Sequence, residues 1–125
     1  MSDIFEQIMA RQLKLQQESF NIDPADLSGE ARDHYVAAMS TALTVELGEA
    51  LQEISWKPWA SGEWLHREAY LMELIDVLHF WMNLVLVATD NPMDVIEVYM
   101  RKAQINADRQ QAGYTGEGKC QTCGR

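Results

Sequence analysis

Glu46-Leu47-Gly48-Glu49 and Glu73-Leu74-Ile75-Asp76 decide how this chain folds. A spacing of three puts both carboxylates of a pair on one face of a helix. Leu47, Leu51 and Ile54 surround the first pair, and Leu71, Leu74, Ile75 and Leu78 surround the second. Helices of that composition turn inward. Four carboxylates facing one interior repel one another severely unless a cation sits among them. Oxygen donors suit a hard divalent cation, Mg²⁺ first, with Mn²⁺ as a substitute. Carboxylates around such a cation point to phosphate-ester or phosphoanhydride substrates.

The rest of the chain reads as helices around these two. Ile4, Phe5, Ile8, Met9, Leu13 and Leu15 recur with roughly helical period, so the first helix runs over about residues 4–20. Asn21-Ile22-Asp23-Pro24 breaks it. The second helix spans about residues 28–54, opening at Ser28 with Glu30 nearby and closing before Pro58. A loop of about ten residues follows, longer than most helix–helix links. The third helix covers about residues 65–88. After the turn Thr89-Asp90-Asn91-Pro92, the fourth covers about 93–111, with Pro92 suited to its first position and Gly113 to its cap. The fold class is all-α, a four-to-five-helix bundle over residues 1–114 with a tail over 115–125.

Composition agrees. At 125 residues the chain is one domain, and 47% hydrophobic content with only 3 prolines favours a helical globular protein over disorder or an all-β fold. A net charge of −9 argues against a nucleic-acid partner. It leaves an anionic substrate open, because a bound cation inverts the local field. The start lacks a basic segment followed by a long apolar one, so no signal peptide is expected. Residues 71–88 approach membrane length, yet Glu73, Asp76, His79 and Asn83 are costly in lipid. That segment reads as a buried helix, with no membrane partner. Its large apolar residues point all round it, which predicts a homodimer or homotetramer with this helix central to the interface. Cys120 and Cys123 are too close together near the C-terminus to staple a core, and a reducing, cytoplasmic setting fits.

Two side-chain stripes follow from the helical period. Ala42, Glu46, Glu49 and Glu53 share one face of the second helix; Glu73, Asp76, Phe80 and Asn83 share one of the third. Packed as neighbours, they bring the four acids together. On the fourth helix, Lys102, Asn106 and Arg109 share a face that suits phosphate oxygens, or equally a solvated charged surface.

Glu46-Leu-Gly-Glu49 and Glu73-Leu-Ile-Asp76-Val-Leu-His79-Phe80 resemble the ExxE…ExxD signature of the all-α nucleoside triphosphate pyrophosphohydrolases, the superfamily of MazG-type enzymes and dimeric dUTPases. Lys57-Pro-Trp59 is similar to a Lys-Tyr-Trp segment of the dUTPase branch, small phage members included. Lys102-x-x-x-Asn106-x-x-Arg109-Gln110-x-x-Gly113-Tyr114 is similar to another. The resemblance spans roughly residues 5–114. It implies a Mg²⁺-dependent diphosphatase that cleaves a deoxynucleoside triphosphate, dUTP first, to the monophosphate and pyrophosphate. By that analogy Glu46, Glu49, Glu73 and Asp76 hold metal, and Glu49 also orients or deprotonates the attacking water. Lys57, Lys102, Asn106, Arg109 and Tyr114 meet the phosphates. The family's base-reading Gln-x-x-Leu-Asn element has its nearest match in Gln12-Leu-Lys-Leu15-Gln16, with Gln16 in place of Asn.

That departure keeps open a MazG-like diphosphatase for dGTP, dATP or a non-standard nucleotide. A non-enzymatic helical interaction protein is the reading from a different class. His79 reads as a satisfied core residue or as a partner of a metal ligand. Trp56, Trp59 and Trp64 read as packing more than as a stacking surface. The tail motif Cys120-Gln-Thr-Cys123 supplies two of the four ligands a structural Zn²⁺ needs, and the family pattern does not include it.

Overall fold

The computed structural model describes residues 3–117. Four α-helices and one 3-10 turn make up the regular structure of that span: α1 (Ile4–Phe20), the turn Pro24–Asp26, α2 (Gly29–Leu51), α3 (Arg67–Ala88) and α4 (Pro92–Gln111). The chain divides into one compact unit ending at Pro92 and a second beginning at Met93.

In the first unit α3 is the hub, packing chiefly on α2 and also on α1 and the 3-10 turn. The start of α1 is fixed by Asp3, whose Oδ1 accepts from the Glu6 N–H at 2.9 Å. Its end is fixed by Asn21, which takes the left-handed conformation at φ 55° and lets the Ile22 N–H reach the Gln16 carbonyl at 3.0 Å. Asp23 then caps the 3-10 turn through the Ala25 N–H, and Pro24 is buried there.

Both helices that carry the acids are shorter than the sequence pattern predicts. α2 stops at Leu51 rather than 54, and α3 starts at Arg67 rather than 65. Ile54 and Leu65, both assigned to helix by their apolar character, pair instead as an antiparallel bridge. The His66 N–H reaches the Glu53 carbonyl at 2.9 Å and the Ser55 N–H reaches the Trp64 carbonyl at 3.0 Å. The long loop is therefore zipped at its base, which draws the end of α2 and the start of α3 together.

Among the described residues the buried apolar set is small: Met9, Tyr35, Ala50, Met82 and Leu86. On α3 only Met82, Asn83 and Leu86 are buried. Burial of α3 on every side is thus not found within one chain, where Leu71 is 58% and Met72 64% exposed and Ile75 and Trp81 are exposed as well. α3 is also long and apolar enough to cross a membrane by length and composition. Within the first unit α1, α2 and the 3-10 turn cover only part of it, which is why a helix that is apolar all round keeps bare faces.

α4, which from Met93 on belongs to the second unit, opens on Pro92, as its fixed φ favours. Gly113, at φ 78°, closes it, with its N–H on the Gln110 carbonyl at 3.2 Å.

Candidate functional site

The packing of α2 on α3 brings the acidic pairs together. Oxygens of Glu46, Glu49 and Glu73 all lie within 4.8 Å of one another. Asp76 is near enough for its charge to act on both Glu46 and Glu73. Glu46 is half-buried, and its Oε2 is shut off from solvent with no hydrogen-bond partner. Burial first, and then the carboxylates of Glu49, Glu73 and Asp76, push the Glu46 carboxyl up from 4.5 to about 7. Burial, with Glu49 and Asp76, also raises Glu73. A buried carboxylate oxygen with no donor, set among three more carboxylates, is costly in itself. A hard divalent cation satisfies that oxygen and removes the repulsion, so the donor set fits such an ion.

His79 is not a core residue. It is half-exposed, with Nδ1 at 3.7 Å from Asp76 Oδ1. It also lines a cavity of about 420 Å³ between α1 and α3, together with Ile8, Gln12, Leu15, Ile75 and Leu78. That volume falls in the range of small-molecule sites, roughly 300–1,000 Å³. The lining is mostly apolar, and Gln12 is its buried polar member.

Gln12 and Gln16 are both buried on α1, one turn apart. Gln12 Nε2 donates to Asn83 Oδ1 at 2.7 Å, and Asn83 Nδ2 donates to the Met39 sulfur at 3.4 Å. The Tyr35 hydroxyl donates to Gln16 Oε1 at 2.8 Å. Burial pushes Tyr35 up to about 12, so it keeps its proton. Sequence reasoning gave no part to Tyr35 or Met39. Neither carries a pattern that distinguishes it from ordinary helix residues.

The loop after α2 presents its tryptophans outward. Trp59 is 74% exposed and meets Trp56 edge-on, ring centres 5.7 Å apart. Packing is therefore not what Trp59 does in a single chain. Lys57 lines a smaller cavity of about 200 Å³ with Leu51, Trp56 and Trp64. His66, which gave no signal in the sequence, stacks on Trp64 and bonds Glu53 Oε2 at 2.9 Å.

In the second unit, Lys102 and Asn106 are exposed on α4. The Arg109 guanidinium lies over the Tyr114 ring at 5.8 Å, and its Nη2 is buried with no hydrogen-bond partner among the described residues. Cys120 and Cys123 lie outside the described residues.

The described residues form an all-α chain with carboxylates clustered across two packed helices, a donor set that suits a divalent cation. A family model described as dUTPase matches residues 4–94. The chain belongs to that family, and it is a nucleoside triphosphate diphosphatase of the all-α type. The family suggests a divalent metal cofactor and implies a nucleotide substrate. No curated protein and no solved structure matches the chain significantly.

Proposed function

We propose that this chain is a Mg²⁺-dependent dUTP diphosphatase, yielding dUMP and pyrophosphate. The observation that carries the reading is the cluster of Glu46, Glu49 and Glu73 oxygens, on a glutamate, Glu46, whose Oε2 is buried without a hydrogen-bond partner. Those three, with Asp76, would hold the cation. When bound, it lowers the pKa of water and neutralises phosphate charge. Of the three clustered glutamates, Glu49 alone is exposed, so it is the one that meets water freely. It orients a water molecule and accepts a proton from it as the oxygen attacks the α-phosphorus. The bond from that phosphorus to the bridging oxygen breaks, and pyrophosphate leaves. Lys57, Lys102 and Arg109 bind the phosphates, Arg109 through charge-assisted hydrogen bonds.

The base enters the cavity between α1 and α3, where Gln12 meets its polar edge. Gln16, one methylene longer than the family's Asn, supports a second reading, in which the base is a purine or a non-standard one. The bare face of α3 (Leu71, Met72 and Ile75) supports assembly with a second copy.

A panel of all deoxynucleoside and ribonucleoside triphosphates with Mg²⁺ tests the reading. The expected result is highest kcat/KM for dUTP. Preference for dGTP or dATP would move the assignment to the second reading, and no hydrolysis of any member would end both.

A further inference from the structure

Three helices meet in one chain of hydrogen bonds, from Gln12 on α1 through Asn83 on α3 to Met39 on α2. Asn83 is 3% exposed and Gln12 is 6% exposed, so the amide groups that face each other depend on protein partners. An amide offers an acceptor at one end and donors at the other. A thioether has no proton to give and can only accept. The Met39 sulfur therefore decides which way the Asn83 amide faces. Nδ2 must point to sulfur, which leaves Oδ1 toward Gln12. Gln12 must then donate through Nε2, as it does at 2.7 Å. What remains is the Gln12 carbonyl oxygen, which carries no hydrogen bond among the described residues, on a side chain that lines the cavity between α1 and α3.

We infer that Asn83 and Met39 are positioning residues that fix the polarity of Gln12, so that the cavity meets its ligand's ring N–H with a carbonyl acceptor. The inference rests on the assignment of this cavity to the base. The uracil ring nitrogen N3 carries a proton and fits an acceptor. The same atom of cytosine carries a lone pair, which the Gln12 carbonyl repels. Discrimination is then set two residues away from the ligand. A Gln12 free to turn over would offer its NH₂ group and accept cytosine instead.

The experiment measures kcat/KM for dUTP and dCTP in the parent and in Asn83→Leu, Asn83→Asp and Met39→Leu, with Mg²⁺-induced thermal shift as a check on fold and metal site. In the parent, dUTP is favoured over dCTP by about tenfold or more, the order expected from pairing against opposing a buried carbonyl. Asn83→Leu compresses that ratio by about the same factor, with dCTP gaining in absolute terms through a lower KM and the Mg²⁺ shift unchanged. A purely structural defect lowers both substrates together and cannot raise one. Asn83→Asp keeps an oxygen toward Gln12 and restores the ratio. Met39→Leu removes the sulfur without changing the bulk of the site and moves the ratio in the same direction as Asn83→Leu.

If Asn83→Leu fails to fold, Met39→Leu carries the test. A parent that prefers dUTP while Asn83→Leu and Met39→Leu keep the full ratio overturns the inference alone. A parent with no preference for dUTP overturns the base assignment, and the inference with it.

Discussion

The carboxyl of Glu46 should make Mg²⁺ binding strongly dependent on pH. Its pKa is pushed from 4.5 up to about 7 by burial and by Glu49, Glu73 and Asp76. A carboxylate with a raised pKa in the folded state holds more protons than in the unfolded state between those two values. The metal-free protein therefore loses stability as pH rises from 4.5 through about 7, and the full destabilisation is present above that. Metal binding needs the carboxylate, so it must displace the proton. At pH 7 roughly half the metal-free molecules carry it, and below pH 6 nearly all do. Mg²⁺ affinity should fall roughly tenfold for each pH unit below 7 from this group, and Glu73, raised in the same direction, adds to the slope. Calorimetric Mg²⁺ titrations at pH 5.5 to 7.5, in two buffers of different ionisation enthalpy, read both the affinity and the protons released. Glu46→Gln should abolish most of the release and flatten the pH dependence of metal-free stability. Affinity that is level from pH 5.5 to 7.5 in the parent, with no proton released, would refute the reasoning.

Three further outcomes are expected. Glu49→Gln should lower turnover by more than about two orders of magnitude, the range for loss of a general base, while circular dichroism shows the fold intact. Arg109→Ala should weaken triphosphate binding about tenfold or more in an equilibrium assay with a non-hydrolysable analogue, leaving Mg²⁺ affinity unchanged; equal triphosphate affinity would remove Arg109 from the phosphate site. Sedimentation at micromolar concentration should show a dimer or tetramer, and Met72→Arg, on the bare face of α3, should shift it toward monomer; a fully active 14.3 kDa monomer would contradict the assembly.

The acidic pairs were legible in sequence because helical spacing alone puts Glu46 with Glu49 and Glu73 with Asp76. Their meeting across α2 and α3 needed only that the two helices pack side by side. α1 was legible from end to end, since its apolar period opens at Ile4 and the Asn21-Ile22-Asp23-Pro24 break carries a strong local signal. The inner ends of α2 and α3 were not, because Ile54 and Leu65 are as apolar as helix residues and their pairing depends on contacts across a long loop. The amide chain was out of reach for a related reason. Gln12, Met39 and Asn83 lie far apart in sequence, and a lone methionine or asparagine in a helix announces nothing about which way another side chain must turn. The apolar surround of α3 was visible in sequence, but which of its faces a single chain leaves bare was set by the packing of α1 and α2.

The central claim is that four carboxylates on α2 and α3 hold a divalent cation for attack on the α-phosphorus of a nucleotide. Phosphorus NMR of dUTP hydrolysis in the presence of Mg²⁺, with and without a chelator, tests it most directly, with Glu73→Gln as the paired variant. dUMP and pyrophosphate are expected as the only phosphorus products, in equal amounts, with both lost on chelation and in the variant. Orthophosphate as the first product, or undiminished hydrolysis in Glu73→Gln, would contradict it.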